Sequence, residues 1–223
     1  MYKIVEKRIL APSIFLMDIE APRVAQSAEP GQFIILIADE KGERIPLTIC
    51  DYDREKGLVT IVIQTIGNST RELFDYEAGD YFHDFVGPLG NPSDFIHENI
   101  DELKKKNILF VAGGLGTAPV YPQVKWLHEN GVNVDVIIGA KNKEAVIMEE
   151  EMKKVAKDVY VTTDDGSYGY KGLVTDVLKD LVQVQGKKYD VVVAIGPMIM
   201  MNFVSILTKE LDIPTIVSLN PIM

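Results

Sequence analysis

Three glycine-containing turns are the features of this sequence that could do chemistry. The first, in 108-ILFVAGGLGTAPVYP-122, ends an apolar run in Gly113, Gly114 and Gly116. Closely spaced glycines let a backbone approach a phosphate or a flat ring, and the start of a following helix can offer free N–H groups. The dinucleotide fingerprint G-x-G-x-x-G needs a third glycine, but Pro119 stands in its place. Alone, this turn is therefore a weak nucleotide signal.

Two later turns resemble the first in position and composition. The segments 163-TDDGS-167 and 196-GPM-198 each follow a run of apolar residues. Glycine in such a turn often serves only the tight backbone conformation of the turn. This interpretation, without a ligand, stays open for each turn considered by itself. Three such turns at one edge of a sheet favour a nucleotide site, because ligands of open α/β sheets bind at the carboxyl ends of the strands.

An alternation of strands and helices after Asn107 predicts the element that brings these turns together. The apolar runs are 108–112, 134–139, 159–163, 191–195 and 213–219, and the helical segments between them are 117–130, 143–156, 171–184 and 198–210. Unbroken Val/Ile runs are typical of parallel strands that helices cover on both faces. The second half is thus predicted to be a doubly wound α/β domain with a parallel five-stranded sheet.

The first half of the chain has a different pattern. Short, partly alternating apolar runs such as 31–39 and 58–67 are separated by turn residues, which predicts an antiparallel sandwich or small barrel. The charged segment 97–107 lies between the two patterns. We therefore expect two domains, 1–98 and 99–223.

Composition excludes several classes of function. The 223 residues carry a formal net charge of −10, which leaves no electrostatic footprint for nucleic acid and no attraction to an anionic membrane. The most apolar window, 191–204, is too short and too interrupted to span a bilayer, and the N-terminus has no apolar core of a signal peptide. With the single cysteine Cys50, these features predict a cytoplasmic protein. The three histidines are far apart in sequence and predict no metal site.

A set of motifs, taken in order, carries a family resemblance. They are 30-PGQF-33, 44-RIPLT-48, 67-GNST-70, 87-GPLG-90, the turn 113-GGLGTAP-119 and the two later turns. In this order and spacing the chain resembles the ferredoxin–NADP⁺ reductase superfamily. Within it, the chain is similar to the electron-transfer subunits of dihydroorotate dehydrogenase B. It is also similar to the small subunits of NADH-dependent reduced ferredoxin:NADP⁺ oxidoreductase and sulfide dehydrogenase.

The resemblance implies an N-terminal antiparallel β-barrel that binds FAD and a C-terminal domain that binds a nicotinamide nucleotide. The residues implied at the flavin are Pro46, Leu47, Thr48, Ile63, Gln64, Thr65, Gly67, Ser69 and Thr70. The residues implied at the nicotinamide nucleotide are Gly114, Gly116, Thr117, Asp164, Asp165, Gly166, Gly196, Pro197 and Met198. One departure is that Arg44 stands one residue before the position, here Ile45, at which the superfamily carries an arginine.

Two carboxylates bear on the choice of nucleotide. Asp164 and Asp165 fall near the place where NADP-specific relatives bind a 2′-phosphate, and a carboxylate there would repel that phosphate. NADH is therefore favoured over NADPH. The alternative is that these aspartates only cap the turn at Gly166-Ser167.

Relatives of this kind continue past a segment like 218-SLNPIM-223 into a cysteine-rich stretch that holds a [2Fe–2S] cluster. Such a cluster needs four thiolates and this chain has Cys50 alone, so we expect the cluster only if the natural chain extends past Met223. The resemblance also implies a larger catalytic or electron-accepting subunit as the partner in a heteromer.

Three functions remain open from the sequence. The first is an oxidoreductase subunit that passes electrons between NAD(P)H, FAD and an iron–sulfur centre of its own or of a partner. The second is a self-sufficient NAD(P)H-dependent flavin or quinone reductase, and the third is a nucleotide-binding regulator without turnover. Because the cofactors carry the chemistry in the first two, no catalytic side chain is assigned.

Overall fold

The computed structural model describes residues 1–219, so the end of the 218–223 segment lies outside the described residues. The chain divides into two compact units. One comprises residues 1–96 with 121–123, and the other comprises 97–120 with the residues from 124 onward. The longest helices have 13 residues each, and no helix among the described residues is long and apolar enough to cross a membrane.

The first unit is an antiparallel sheet of seven strands in the order β6-β1-β2-β5-β4-β3-β7. The strands are β1 (Tyr2–Ala11), β2 (Ile14–Glu20), β3 (Phe33–Ile37), β4 (Arg44–Asp53), β5 (Leu58–Gln64), β6 (Tyr81–Phe82) and β7 (Asp84–Leu89), with helices α1 (Pro22–Ser27) and α2 (Asn68–Phe74). Inward-facing apolar residues such as Phe15, Ile34 and Ile61 are fully buried in one core. The predicted antiparallel barrel is confirmed.

The second unit is a parallel sheet of six strands in the order β11-β10-β9-β8-β12-β13. Its strands are β8 (Ile108–Gly113), β9 (Val134–Ala140), β10 (Asp158–Thr163), β11 (Tyr170–Lys171), β12 (Val191–Ile195) and β13 (Thr215–Val217). Its helices are α3 (Ile100–Leu103), α4 (Thr117–Glu129), α5 (Glu149–Val155), α6 (Val174–Lys179) and α7 (Met198–Glu210). Every residue of the central strand β8 is buried, as expected for a doubly wound sheet.

Some details of the second unit differ from the sequence prediction. The predicted five-stranded sheet has a sixth strand, β11, whose two residues are exposed and therefore give no apolar signal. The helix expected over 143–156 begins only at Glu149, because Met148 adopts a left-handed conformation with φ of 57°. The helix expected over 171–184 begins at Val174 and passes into a π-helical turn.

A polar cluster fixes the amino-terminal ends of β9 and β10, opposite the glycine turns. The Lys187 ammonium lies 2.8 Å from the Asp135 carboxylate, 3.0 Å from that of Asp158 and 2.6 Å from the Tyr160 hydroxyl. The Tyr189 hydroxyl donates to Asp135 at 2.7 Å. Burial disfavours the charge of Lys187, but its hydrogen bonds outweigh burial and raise its pKa. The cluster therefore satisfies a carboxylate, Asp135, that is only 6% exposed.

Replacing Lys187 tests this cluster. We expect Lys187→Met to lower the free energy of unfolding by about 3 kcal/mol, because Asp135 stays buried without its cation. The matched control is Lys153→Met, which removes ion pairs to Glu149 and Glu150 on the helix surface. Its effect on stability should be clearly smaller than that of Lys187→Met, because solvent screens exposed ion pairs. Urea unfolding at neutral pH measures both, and equal losses would contradict the assignment.

The same cluster predicts a pH dependence. The pKa of Asp158 is lowered, chiefly because Lys187 donates a hydrogen bond to its carboxylate. A lowered carboxyl pKa stabilises the fold above the ordinary value of 3.8, and this contribution is lost as the pH falls through the folded-state pKa. Wild type should therefore lose more stability than Lys187→Met on acidification, as measured by urea unfolding over a series of pH values.

Candidate functional site

The turns after β8 and β12 touch backbone to backbone at the carboxyl edge of the parallel sheet. A Cβ atom at position 116 would lie 2.8 Å from the carbonyl carbon of Ile195 and 2.9 Å from the Cα of Gly196. A Cβ at position 196 would lie 3.0 Å from the Cα of Gly113. Contacts this short leave no room for a side chain. Glycine at position 116 is thus required by the neighbouring backbone. A Cβ at Gly113 would meet the side chains of Pro197 and Met200, and one at Gly196 would meet both Met200 and the Gly113 backbone.

Gly114 differs from these three glycines. Its φ is +53°, and a Cβ added there would meet nothing within 4 Å. The Thr117 hydroxyl donates to the Gly114 carbonyl at 2.9 Å, and Thr117 itself is fully buried. Thr117 therefore holds the turn in place, whereas Gly114 opens the space beside it. Of the predicted nucleotide residues in this turn, Gly114 is the one with room for a ligand.

The two aspartates after β10 have different roles. The Asp165 carboxylate accepts hydrogen bonds from the Ser167 amide at 2.9 Å and the Ser167 hydroxyl at 2.6 Å. These bonds lower the pKa of Asp165. The Ser167 hydroxyl oxygen accepts in turn from the Lys143 amide at 2.8 Å, which joins this turn to the loop after β9. Asp165 therefore caps its own turn, which is the alternative to ribose binding that the sequence left open.

Asp164 is exposed, and its carboxylate has no hydrogen bond or ion pair to any other residue in 1–219. Its carboxylate is therefore free to accept hydrogen bonds from a ligand, whereas that of Asp165 is already engaged by Ser167. Next to it, the stem of Lys171 covers Gly166, since a Cβ at Gly166 would lie 2.7 Å from the Lys171 Cδ.

The third turn leads directly into α7. Pro197 precedes the helix, and Met198 is its first residue and is 67% exposed. Two residues further, the side chain of Met200 packs against Gly113 and Gly196. Because all strands of this sheet are parallel, the turns after β8, β10 and β12 lie at the same edge.

In the first unit, β4 and β5 separate where the flavin residues are predicted. The ladder between them ends at Ile49 opposite Ile61. Beyond that point Thr48 pairs with β3 and Gln64 pairs with β2. No ladder pair in residues 1–219 joins the two strands there, so the edges of 46–48 and 62–64 that lie away from β3 and β2 have no strand partner. Backbone edges of this kind are suited to a flat polar ring.

Side chains along β4 alternate between an exposed face and the core, which divides the predicted residues of that strand into two groups. Pro46 lies on the same face as Arg44 and Thr48, and Arg44 and Pro46 are exposed. Leu47 faces the other way and packs against the core. In β5, the side chain of Ile63 is also in the core, with 1% exposed. Leu47 and Ile63 can therefore offer a ligand their backbone but little of their side chains.

The segment after β5 forms a turn ahead of α2. The Thr70 hydroxyl oxygen accepts from the amides of Ile66 and Gly67, each at 3.0 Å, so it is used within the turn. The Ser69 hydroxyl donates to the Glu43 carboxylate. A Cβ at Gly67 would meet nothing within 4 Å, so this turn, like that at Gly114, has open space beside it. Glu43 was not predicted, because only the fold brings it to Ser69.

Residues 1–223 do not contain the ligands for the iron–sulfur cluster that the resemblance implies. Cys50 is the single thiol of the sequence and is fully buried in the first unit. Four thiolates are needed, so residues 1–223 do not fit that cluster.

Comparison with known proteins gives consistent results. A family described as "Oxidoreductase NAD-binding domain" matches residues 110–205. A Clostridium beijerinckii protein described as "uncharacterized protein in adh 3′ region" is 67% identical over all of this chain and 75% of its own length. The Thermotoga maritima homologue of the dihydroorotate dehydrogenase B electron transfer subunit is 44% identical, over 99% of this chain and 75% of its own.

A solved structure shows the same fold. The NADH-dependent reduced ferredoxin–NADP oxidoreductase, studied for flavin-based electron bifurcation, is 41% identical with a TM-score of 0.89. The match covers 100% of this chain and 77% of that one. At this identity the likeness extends beyond the fold.

Two glycine variants test whether Gly114 leaves space for a ligand while Gly116 is needed for packing. We expect Gly114→Asn to keep the fold, because asparagine tolerates a left-handed backbone, and to weaken NADH binding at least tenfold, or about 1.4 kcal/mol. Gly116→Ala should instead lower the free energy of unfolding by about 2 kcal/mol, because its methyl group meets backbone. NADH titration and urea unfolding measure these effects. Normal NADH affinity in folded Gly114→Asn would contradict the assignment.

Proposed function

This chain belongs to the ferredoxin reductase family of NAD-binding oxidoreductases, and we propose that it binds FAD in its first unit and NADH in its second as an electron-transfer subunit. The observation that carries the flavin assignment is the end of the β4–β5 ladder at Ile49 and Ile61, together with the open space at Gly67 in the turn after β5. The residues that the family resemblance implies at the flavin lie along these two strand ends and the turn that follows.

Within this proposal the first unit binds the flavin mainly through backbone. The strand edges at Thr48 and Gln64 that have no strand partner offer N–H and C=O groups to the polar rim of the flavin ring. The open space at Gly67 admits the pyrophosphate, and Ser69 can turn its hydroxyl to it by leaving Glu43. Arg44 lies on the same face of β4 as Thr48 and makes no side-chain hydrogen bond within residues 1–219, so it can supply a cation.

FAD held by these strand ends and the Gly67–Thr70 turn would supply a hydride acceptor that can also transfer electrons one at a time. The contribution of this chain is to bind and orient both nucleotides. The backbone at Gly114 lets the nicotinamide nucleotide approach the edge of the parallel sheet, and the packed glycines hold that edge rigid. No side chain has to move a proton, so none is assigned as catalytic.

The preference for NADH over NADPH rests on Asp164. Its carboxylate is exposed and has no partner within residues 1–219, so it can accept hydrogen bonds from ribose hydroxyls and repel a 2′-phosphate. Asp165 contributes indirectly, since its bonds to Ser167 fix the turn that carries Asp164.

A larger electron-accepting subunit is the proposed partner. The support for it is that the Thermotoga maritima relative is named as a homologue of the electron transfer subunit of dihydroorotate dehydrogenase B. The final electron acceptor would then be held by that partner.

Flavin binding tests the proposal directly. Purified protein should bind one equivalent of FAD with quenching of flavin fluorescence. Gly67→Val should weaken FAD binding at least tenfold with no change in the unfolding midpoint, because the backbone there has φ of −108° and the new side chain enters open space. A colourless protein that binds no added FAD would overturn the proposal.

The two aspartates provide a matched pair for nucleotide specificity. We expect Asp164→Asn to raise kcat/KM for NADPH relative to NADH about tenfold, equivalent to about 1.4 kcal/mol. Asp165→Asn should leave this ratio within twofold, because its amide oxygen can still accept from Ser167. Steady-state diaphorase assays with both nucleotides measure the ratios. An equal shift in the two variants would count against Asp164 as the discriminating residue.

A further inference from the structure

Lys7 is a cation with a largely buried side chain that the proposed chemistry does not use. It lies in β1, and only 6% of its side chain is exposed. Lysine is almost never buried to this extent unless its charge is paired, because removing an ammonium from water is costly. Its position therefore requires a specific set of partners.

Those partners belong to the end of α2 and the residues after it. The Lys7 ammonium donates to the Phe74 carbonyl at 2.5 Å and forms an ion pair with Glu77 at 2.7 Å. It also lies 4.7 Å from the centroid of the Phe74 ring and 5.8 Å from that of Phe15. The two rings pack edge to face at 5.3 Å. The charge is thus held by a carbonyl, a carboxylate and two aromatic faces.

Residues of β1 and of the turn between β1 and β2 bind both ends of the segment 65–74, which contains the predicted pyrophosphate residues. Before α2, the Thr65 amide donates to the Ser13 carbonyl, between β1 and β2, at 2.9 Å. At the other end, Lys7 binds the carbonyl of Phe74, the last residue of α2. Between these two anchors lies the Gly67 turn with its open space. Movement of α2 at Phe74 would therefore be transmitted to this turn.

We propose that Lys7 is a positioning residue for FAD: by fixing the carboxyl end of α2, it sets the Gly67–Thr70 turn in the place where the pyrophosphate binds. This inference rests on the proposed function. A cation is suited to the task because it binds the last carbonyls of a helix and interacts favourably with the negative end of the helix dipole. A methionine could fill the same space but would leave the Phe74 carbonyl without this donor.

Comparison of two flavins tests the proposal. FMN has the same ring and one phosphate but lacks the second phosphate and the adenosine, so it depends less on the Gly67–Thr70 turn. We expect Lys7→Met to raise the Kd for FAD at least tenfold and the Kd for FMN no more than twofold, both measured by quenching of flavin fluorescence. Lys7→Arg, which can still donate to Phe74, should restore most of the FAD affinity.

Glu77→Gln is the matched control. Glu77 is 70% exposed, and its substitution keeps the bond from Lys7 to the Phe74 carbonyl, so both Kd values should stay within twofold of wild type. If Lys7→Met does not fold, Lys7→Gln is measured instead, with an expected fall in FAD affinity of at least threefold relative to FMN.

The outcomes separate this inference from the proposed function. Equal loss of FAD and FMN affinity in the Lys7 variant, with wild type preferring FAD, would overturn the role of Lys7 alone. A wild-type protein that binds neither flavin, or binds FAD no more tightly than FMN, would overturn the pyrophosphate assignment and this inference with it.

Discussion

The contact between the turns after β8 and β12 is the constraint on which the nucleotide edge of the second unit depends. It requires that Gly116 has no side chain, because the backbone of Ile195 and Gly196 occupies the space, while Gly113 and Gly196 are packed closely against Met200. This accounts for the incomplete fingerprint. The close packing that a third glycine allows in G-x-G-x-x-G is achieved here by Gly116 against Ile195, so Pro119 can occupy the first turn of α4, where its missing N–H is not needed.

In the turns after β8 and β10, residues that stabilise the turn lie close in sequence to residues that are open to a ligand. Thr117 and Asp165 have their polar atoms engaged inside their turns, whereas Gly114 and Asp164 remain accessible to a ligand. A ligand then meets a site whose shape is already fixed, which lowers the entropy lost on binding. Motif membership alone does not distinguish the two kinds of residue, because neighbours in sequence have opposite roles.

The sequence predicted those parts of the fold whose signals are local. Strands such as β8 and β12 are buried and so read as unbroken apolar runs, whereas both residues of β11 are exposed and give no apolar signal. Contacts between distant residues gave no signal. Lys7 meets Phe74 across 67 positions, and the separation of β4 from β5 follows from pairing partners, not from residue types. The predicted flavin and nucleotide residues remain predictions.

The central claim is that a flavin bound by the first unit is reduced by NADH bound at the Gly114 edge of the second. Rapid anaerobic mixing of the FAD-loaded protein with NADH tests it most directly. We predict that the visible absorbance of oxidised flavin is lost within a single turnover, faster with NADH than with NADPH. A flavin that binds at full stoichiometry yet keeps its absorbance in excess NADH would contradict the claim and leave a nucleotide-binding protein without this electron transfer.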